Sequence, residues 1–260
     1  MKELEIAMQA AAAGGNILTG YFQQGITMRQ KQACDLVSDA DLESEQAIVT
    51  LLRNAFPDDA ILGEEEARGD IGAERLWIVD PLDGTTNFAH DLPHFAVSIG
   101  FYENGEPQCG VILNPVRNDW FHAVRGAGAF HNGQPVAVAG HRGFDETLIG
   151  CGFYYDRGAM MQSTLDAIRD FFSRQIHGIR RFGTASLDLA QVGCGQFGVF
   201  FEYELSPWDF AAGRLFVEEA GGRVTTCRGE ELPLQKTSVL ASNGLLHEAA
   251  LQIVLENYPL

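Results

Sequence analysis

The 260-residue sequence is poor in cysteine and has no paired cysteines. Its five cysteines are scattered, odd in number and never part of a Cys-x-x-Cys pair, which argues against a disulfide framework and a structural zinc site. We expect these thiols to be reduced and mostly buried, as in an intracellular protein. No hydrophobic run approaches a membrane span, and no signal peptide is visible. The sequence therefore predicts a cytoplasmic protein without a membrane partner.

Positive charge is also scarce. Only 18 residues are Lys or Arg, against 35 that are Asp or Glu, so the formal net charge at pH 7 is −17. A chain this acidic is not expected to bind the phosphates of nucleic acids or the surface of anionic membranes. We therefore predict no nucleic-acid partner. Most of the acids are expected to form a solvated surface, while a few remain available as metal ligands.

Several common catalytic signatures are missing. The sequence contains no Walker A motif, no Gly-x-Ser-x-Gly elbow and no His-Glu-x-x-His helix, so serine-hydrolase and zinc-protease functions lack their nucleophile or ligands. A Gly-x-Gly-x-x-Gly pattern does occur at Gly193, Gly195 and Gly198. It follows a helical run and precedes a strand, which is the reverse of the order in a dinucleotide-binding unit. We interpret it as a helix end followed by a turn.

The most informative stretch is the segment W-I-V-D-P-L-D-G-T-T-N-F at residues 77–88. Its apolar start predicts a buried strand that ends at Asp80, because Pro81 lacks an N–H donor and has a fixed φ. Asp83 then begins a turn that also offers helix N-cap residues. Two carboxylates this close repel by roughly 4 kcal/mol at 4 Å and intermediate dielectric, so we expect a cation between them. Such oxygen ligands suit Mg²⁺, and the free amides of the turn suit phosphate.

Two further acidic clusters lie at element boundaries. Glu64 and Glu65 follow a short strand at residues 61–62, and Asp209 stands at the start of a predicted helix. Each cluster alone is a weak signal, because adjacent acids are usually solvated and an acid at a helix start often interacts with the helix dipole. The prediction of a site depends on the combination of three clusters, each beside small or turn residues.

Residue periodicity divides the chain into two halves. Residues 1–142 begin with a helix at 2–23 and a second helix that Ser38 caps and that reaches Phe56. Short strands and hairpin turns follow, so we predict an α+β half with an antiparallel sheet and the first two acidic clusters. Residues 143–260 alternate short strands and helices, which predicts an α/β half that carries the third cluster. The site is then expected between the halves.

In their order, the three clusters resemble the motifs of the inositol monophosphatase family of Mg²⁺-dependent, lithium-sensitive sugar phosphatases. The matching segments are Gly63–Glu65, Asp80–Phe88 and Trp208–Gly213, and the resemblance extends over nearly the whole chain. It implies a layered αβαβα sandwich, usually a homodimer. It also implies hydrolysis of a small phosphorylated polyol or sugar.

The resemblance further implies a set of metal ligands. Two to three Mg²⁺ ions would be held by Glu64, Asp80, the carbonyl of Leu82, Asp83 and Asp209, and Asp80 would bridge two of the ions. Metal ions held a few ångströms apart can clamp a phosphoryl group and lower the pKa of the attacking water.

The catalytic and phosphate-binding residues are implied in the same way. Thr85, together with Asp41 and Glu64, would orient the attacking water. The backbone amides of Gly84 and Thr85 would bind phosphate oxygens. Attack in line with the leaving group is then catalysed mainly by positioning and electrostatics.

On the substrate side, the resemblance implies contacts from Ala185, Glu202 and Asp209. Glu202 stands where the family contacts inositol hydroxyls, and Ala185 belongs to another substrate-side segment. The segment 205–207 departs from the pattern of the animal enzymes, which bears on the identity of the polyol.

The expected function is thus Mg²⁺-dependent hydrolysis of myo-inositol 1-phosphate or a similar small polyol or sugar monophosphate. One alternative is the same chemistry on histidinol phosphate. Another is a non-catalytic scaffold that retains the fold. The complete ligand set argues against the scaffold, because a degenerate site is expected to have lost at least one acid.

Overall fold

The computed structural model describes residues 1–24, 29–32, 35–37 and 39–259, with side chains described for 1–23 and 39–259. The predicted cap at Ser38 and the cysteine Cys34 lie outside the described residues. The four described cysteines are free, and three of them are buried. Among the helices of the described ranges, none is long and apolar enough to cross a membrane.

The chain begins with two helices that pack against each other. These are α1 (Lys2–Gln24) and α2 (Asp39–Ala55), close to the predicted ranges. Between them lie two short antiparallel strands, β1 (Arg29–Gln32) and β2 (Asp35–Val37). Alanines of α1 and the apolar face of α2 are buried in one core, which agrees with the amphipathic pattern of both helices.

A seven-stranded sheet follows, and its strands lie in chain order. The predicted antiparallel sheet is confirmed for every pair except the first, in which the edge strand runs parallel to its neighbour. A short helix, α3 (Thr85–Ala89), leads from the second strand of this sheet to the third. The strands are β3 (Ala60–Gly63), β4 (Arg75–Asp83), β5 (Ala96–Glu103), β6 (Glu106–Asn114), β7 (Asp119–Val124), β8 (Gly128–His131) and β9 (Gln134–Val136).

The end of β4 differs from the prediction. The strand was expected to stop at Asp80, but it continues through Pro81 to Asp83. Against β5, Asp80 pairs with Ser98 and Asp83 pairs with Ala96, so three steps on β4 match two on its neighbour. Such a bulge tolerates a residue without an N–H donor. The bulge also affects the site. Residues three apart on a regular strand point to opposite faces, and the bulge allows the side chains of Asp80 and Asp83 to approach each other.

A five-stranded sheet dominates the second half, with the order β11-β10-β12-β14-β13. The strand β10 is parallel to both of its neighbours, whereas β14 is antiparallel to both of its own. The strands are β10 (Leu148–Cys151), β11 (Gly178–Arg180), β12 (Val199–Leu205), β13 (Arg223–Thr225) and β14 (Thr237–Ser242).

Four helices accompany this second sheet, and their positions confirm the predicted alternation. The helix α5 ends at Gly193 and β12 begins at Val199, so the glycine pattern there is a helix end and turn, as interpreted. The helices are α4 (Ala159–Ser173), α5 (Ala185–Gly193), α6 (Pro207–Glu219) and α7 (His247–Glu256).

The buried residues order these elements into five layers. The helices α1 and α2 cover one face of the first sheet, and α5 and α6 cover its other face. The same two helices, α5 and α6, pack on the second sheet, whose far face is covered by α4 and α7. The αβαβα sandwich is therefore confirmed. The division at residue 142 stays a prediction, because α5 and α6 share a core with the first sheet.

Candidate active site

A cavity of about 340 Å³ opens where the end of β4 meets the start of α6. Both halves of the chain contribute to it, as the sequence predicts. The first half supplies residue 64 and residues 80 and 82–86, and the second half supplies residues from 152–155, 181–185 and 202–209. Each predicted site residue lines this cavity except Asp41, which is buried in the first turn of α2.

Three aspartates converge on one side of the cavity. One carboxylate oxygen from each of Asp80, Asp83 and Asp209 lies within 4.8 Å of the other two. The bulge in β4 permits this arrangement for the first two, and α6 brings in the third from the other half. We call these three residues the acidic triad.

Asp80 is the most confined member of the acidic triad. Its Oδ1 accepts a hydrogen bond of 3.0 Å from the Leu82 N–H, but its buried Oδ2 has no hydrogen-bond partner among the described residues. Burial, followed by the charges of Glu64, Asp83 and Asp209, raises the pKa of Asp80 well above its usual range. Acidic groups are thus concentrated at this point of the described structure.

Asp83 is held in place by the start of α5. Its Oδ2 accepts hydrogen bonds from the Ser186 N–H at 2.7 Å and the Ser186 hydroxyl at 2.5 Å, and its Oδ1 accepts one from the Ala185 N–H at 3.3 Å. Burial raises the pKa of Asp83 to about 6 in spite of these bonds, which oppose the shift. The sequence did not predict the role of Ser186, because it lies 103 residues from Asp83 and no local pattern links the two.

Asp209 belongs to the first turn of α6. Its Oδ2 accepts a 2.6 Å hydrogen bond from the Ser206 N–H, so it interacts with the helix start as a capping acid does. Burial raises its pKa well above the usual range, with further contributions from Asp83 and Glu64. The two interpretations of this residue, helix capping and membership of the site, are therefore compatible.

The donor set fits a divalent cation. Three carboxylates crowd one buried place, one of their oxygens has no partner in the described chain, and hard oxygen donors are those that Mg²⁺ prefers. The Leu82 carbonyl lines the cavity and accepts the Thr85 hydroxyl at 3.0 Å, which leaves its second lone pair for another partner. Glu64 also lines the cavity, outside the 4.8 Å group.

Gly84 and Thr85 form the turn after β4. Gly84 has a φ of +92°, and a Cβ there would lie 2.4 Å from the Thr184 hydroxyl oxygen, so this position requires glycine. The hydroxyl of Thr85 faces the Leu82 carbonyl. The joint role predicted for Thr85 and Asp41 stays a prediction, because Asp41 does not line the cavity.

Asn87 connects the two halves beside the cavity. Its Nδ2 lies 2.8 Å from the His94 carbonyl, 2.7 Å from the Phe182 carbonyl and 3.2 Å from the Thr184 hydroxyl. The amide is buried, so it fixes the segment that carries Arg181 relative to the end of β4. The motif drew attention to this asparagine, but its partners could not be read from the sequence.

A second group of residues that line the cavity carries mixed charge. Glu202 projects from β12, and burial raises its pKa to about 8 although the charge of Arg181 opposes this shift. Arg181 is the one cation among the described residues that line the cavity. A Cβ at Gly152 would come within 1.7 Å of a carboxylate oxygen of Glu202. We call Gly152, Arg181 and Glu202 the substrate wall.

Tyr154 and Glu204, which line the cavity, share a contact with Lys236 that the sequence did not predict. The amine of Lys236 donates to the Tyr154 hydroxyl, pairs with the Glu204 carboxylate and lies 4.2 Å from the centre of the Tyr154 ring. This arrangement fixes an aromatic side chain that lines the same cavity as the substrate wall. Tyr154 lies in the loop after β10, where no periodic pattern indicated a function.

Comparison with known proteins places the chain in a family. A model of the inositol monophosphatase family matches residues 2–257. The chain belongs to the inositol monophosphatase family. Members of this family are metal-dependent phosphatases that act on small phosphorylated substrates, which agrees with the acidic triad.

Individual members of the family match over nearly their whole length. The chain is 41% identical to the Nus factor SuhB of Pseudomonas aeruginosa, covering 98% of this chain and 97% of that protein. It is 39% identical to the inositol-1-monophosphatase of Synechocystis, covering 94% and 86%. The solved structure of the Thermotoga maritima inositol monophosphatase superposes with a TM-score of 0.91 at 34% identity, covering 99% and 98%.

Proposed function

We propose that this chain is a Mg²⁺-dependent phosphomonoesterase that hydrolyses myo-inositol 1-phosphate or a similar small polyol or sugar monophosphate. The observation that carries the proposal is the acidic triad, whose carboxylates converge from two halves of the chain and leave one buried Asp80 oxygen without a hydrogen-bond partner among the described residues. Within the described residues, the triad lies in a cavity of about 340 Å³, large enough for a small phosphate ester.

In this proposal the acidic triad, Glu64 and the Leu82 carbonyl hold two to three Mg²⁺ ions. When bound, such ions neutralise charge on the phosphoryl group and lower the pKa of water at the site. The chain supplies the positioning. Ser186 and the Ala185 amide fix the Asp83 carboxylate from behind, so that its orientation does not depend on the substrate.

The remaining catalytic contacts follow the family motif. The amides of Gly84 and Thr85 donate to phosphate oxygens in the proposed complex, and the Thr85 hydroxyl orients the attacking water with Glu64 and Asp41. The hydroxyl already lies 3.0 Å from the Leu82 carbonyl, which keeps it beside the predicted ligands. Inhibition by lithium is proposed with the same site.

The substrate wall is proposed to recognise the polyol. Glu202 and Arg181 offer an acceptor and a donor group in the same cavity as the acidic triad, which suits vicinal hydroxyls. Ala185 and Asp209 complete the proposed contacts. A relative named inositol-1-monophosphatase at 39% identity supports this substrate class. Cytoplasmic location and a homodimer remain predictions.

A second candidate function comes from the names of relatives. The Pseudomonas aeruginosa relative, at 41% identity, and a Xylella fastidiosa relative, at 38%, are called Nus factor SuhB rather than phosphatases. A function other than hydrolysis, of the scaffold type, is therefore the alternative for this chain. These names lend no support to the expectation that nucleic acid is not a partner, and that expectation stays a prediction.

Phosphate release tests the two candidates. The purified chain is assayed with and without Mg²⁺ on inositol 1-phosphate, histidinol phosphate and an adenosine bisphosphate. We expect Mg²⁺-dependent release that EDTA abolishes and that is fastest with inositol 1-phosphate. Faster release from histidinol phosphate would replace the substrate class and keep the chemistry. A folded chain that releases phosphate from none of them would favour the scaffold.

A further inference from the structure

Behind the predicted ligand Glu64 lies a buried carboxylate that does not line the cavity. Glu45, on α2, is 2% exposed. Its Oε2 accepts a hydrogen bond from the Glu65 N–H at 2.8 Å, and its Oε1 accepts bonds from the Glu66 and Ala67 N–H groups at 2.7 and 2.8 Å. One side chain therefore binds three successive amides of the turn that follows Glu64.

The turn also leaves room for this carboxylate. A Cβ at Gly63 would lie 2.3 Å from Oε2 of Glu45 and 2.7 Å from its Cδ, distances that real side chains do not tolerate. The glycine of the Gly63–Glu65 motif is thus explained by a contact on the rear of the turn. The motif and a residue of α2 form one packed unit.

The front of the same turn is fixed by the first sheet. The Glu64 N–H donates to the Val79 carbonyl at 3.2 Å, and the Gly63 N–H donates to the Ala67 carbonyl at 3.0 Å. Val79 immediately precedes Asp80, so the backbone of Glu64 is held beside the acidic triad. With Glu45 behind and β4 in front, the direction in which the Glu64 side chain leaves the backbone is set by both contacts.

We propose that Glu45 is a positioning residue for the metal site, which sets the affinity for Mg²⁺ through Glu64 without itself lining the cavity. The inference rests on the proposed function, since it takes Glu64 as a ligand. Residues that hold a ligand segment without touching the metal orient the ligands, and their loss weakens metal binding. A merely structural Glu45 would instead change stability and leave the affinity of the folded chain unaltered.

The substitution Glu45→Gln tests this at constant side-chain size. The glutamine side chain keeps one accepting oxygen, and its N–H₂ group faces a backbone N–H of the turn. Two side-chain oxygens therefore no longer accept hydrogen bonds from the turn. Mg²⁺ binding is measured on the full chain by isothermal titration calorimetry at pH 7.5. We expect the dissociation constant for Mg²⁺ to rise by roughly 10- to 100-fold, with kcat at saturating Mg²⁺ close to that of the wild type.

Glu43→Gln is the matched control. Glu43 is exposed on the same helix and accepts a 2.7 Å hydrogen bond from the Tyr21 hydroxyl, away from the turn. We expect its Mg²⁺ affinity to equal that of the wild type. An equal loss in both variants would assign the effect to α2 as a whole and overturn the inference.

A second variant covers the case in which Glu45→Gln does not fold. Gly63→Ala keeps the Glu45 carboxylate but forces it away from the turn, and the same loss of Mg²⁺ affinity is expected. Wild-type affinity in either folded variant would overturn this inference alone. A wild-type chain that binds no Mg²⁺ would overturn the proposed function and the inference together, so the two failures are distinguishable.

Discussion

The two sides of the cavity differ in how their charges are balanced. In the acidic triad, three carboxylates converge and one buried oxygen has no partner among the described residues. In the substrate wall, the charge of Arg181 favours the ionised form of Glu202, although burial raises the pKa of Glu202 to about 8. The triad thus brings together acidic groups only, whereas the wall places an acidic group in the same cavity as a cation. In the proposed function, the triad serves the chemistry and the wall serves discrimination among substrates.

The strongest test of this contrast removes one charge from the acidic triad. For Asp83→Asn we expect kcat/KM to fall by at least roughly 100-fold, equivalent to about 2.7 kcal/mol of transition-state stabilisation. The loss has two causes. A negative charge disappears, and the N–H₂ group of the new side chain can face the Ser186 N–H, so that two hydrogen-bond donors meet. Steady-state phosphate release at several Mg²⁺ concentrations measures it.

The matched control for that variant is Asp91→Asn. Asp91 is exposed and has a φ of +57°, a conformation that asparagine also adopts readily. We expect this control to keep the wild-type rate. A near-normal rate in Asp83→Asn itself would remove Asp83 from the site.

A smaller and more selective effect is expected from the substrate wall. For Glu202→Ala we expect KM for inositol 1-phosphate to rise by about 10-fold, as one lost hydrogen bond to a buried polar group implies, while Mg²⁺ dependence is retained. Gly152→Ala should act in the same direction, because its Cβ displaces the Glu202 carboxylate. The exposed Glu230→Ala serves as the control. An unchanged ranking of substrates in both wall variants would discard this role.

The smallest expected effect is a shift in thermal stability with pH. Folding raises the pKa of Asp83 to about 6 and that of Glu202 to about 8, from ordinary values of 3.8 and 4.5. The folded state then binds protons more tightly than the unfolded state, so the metal-free chain loses stability as pH rises from about 4 to 8. In the proposed function, Mg²⁺ bound at the acidic triad would oppose this loss at high pH.

We therefore expect Mg²⁺ to raise Tm by a few degrees more at pH 8 than at pH 5. Differential scanning fluorimetry at both pH values, with Mg²⁺ or with EDTA, measures the difference. Equal shifts at pH 5 and pH 8 would contradict the raised pKa of the buried carboxyl groups. A larger shift at pH 5 would reverse the sign of the linkage.

Much of this molecule was predictable from short segments. The amphipathic helices, the hairpin turns and the alternation of the second half follow from residue periodicity, and the structure confirms them. The motif at residues 77–88 pointed to a cation because it places two acids three residues apart at the end of a strand, beside a turn. These inferences succeed because they depend on neighbours in the chain, whose distances covalent geometry limits.

Only the tertiary structure decided how these segments complete the site. The course of β4 through Pro81, the bonds from Ser186 to Asp83 and the space that Gly152 leaves for Glu202 all depend on the packing of distant elements. The same is true of Glu45, which lies 20 residues before the first amide that it binds. Contacts of this kind form only when whole layers pack, because no local preference of the chain specifies which distant donor or acceptor will be near.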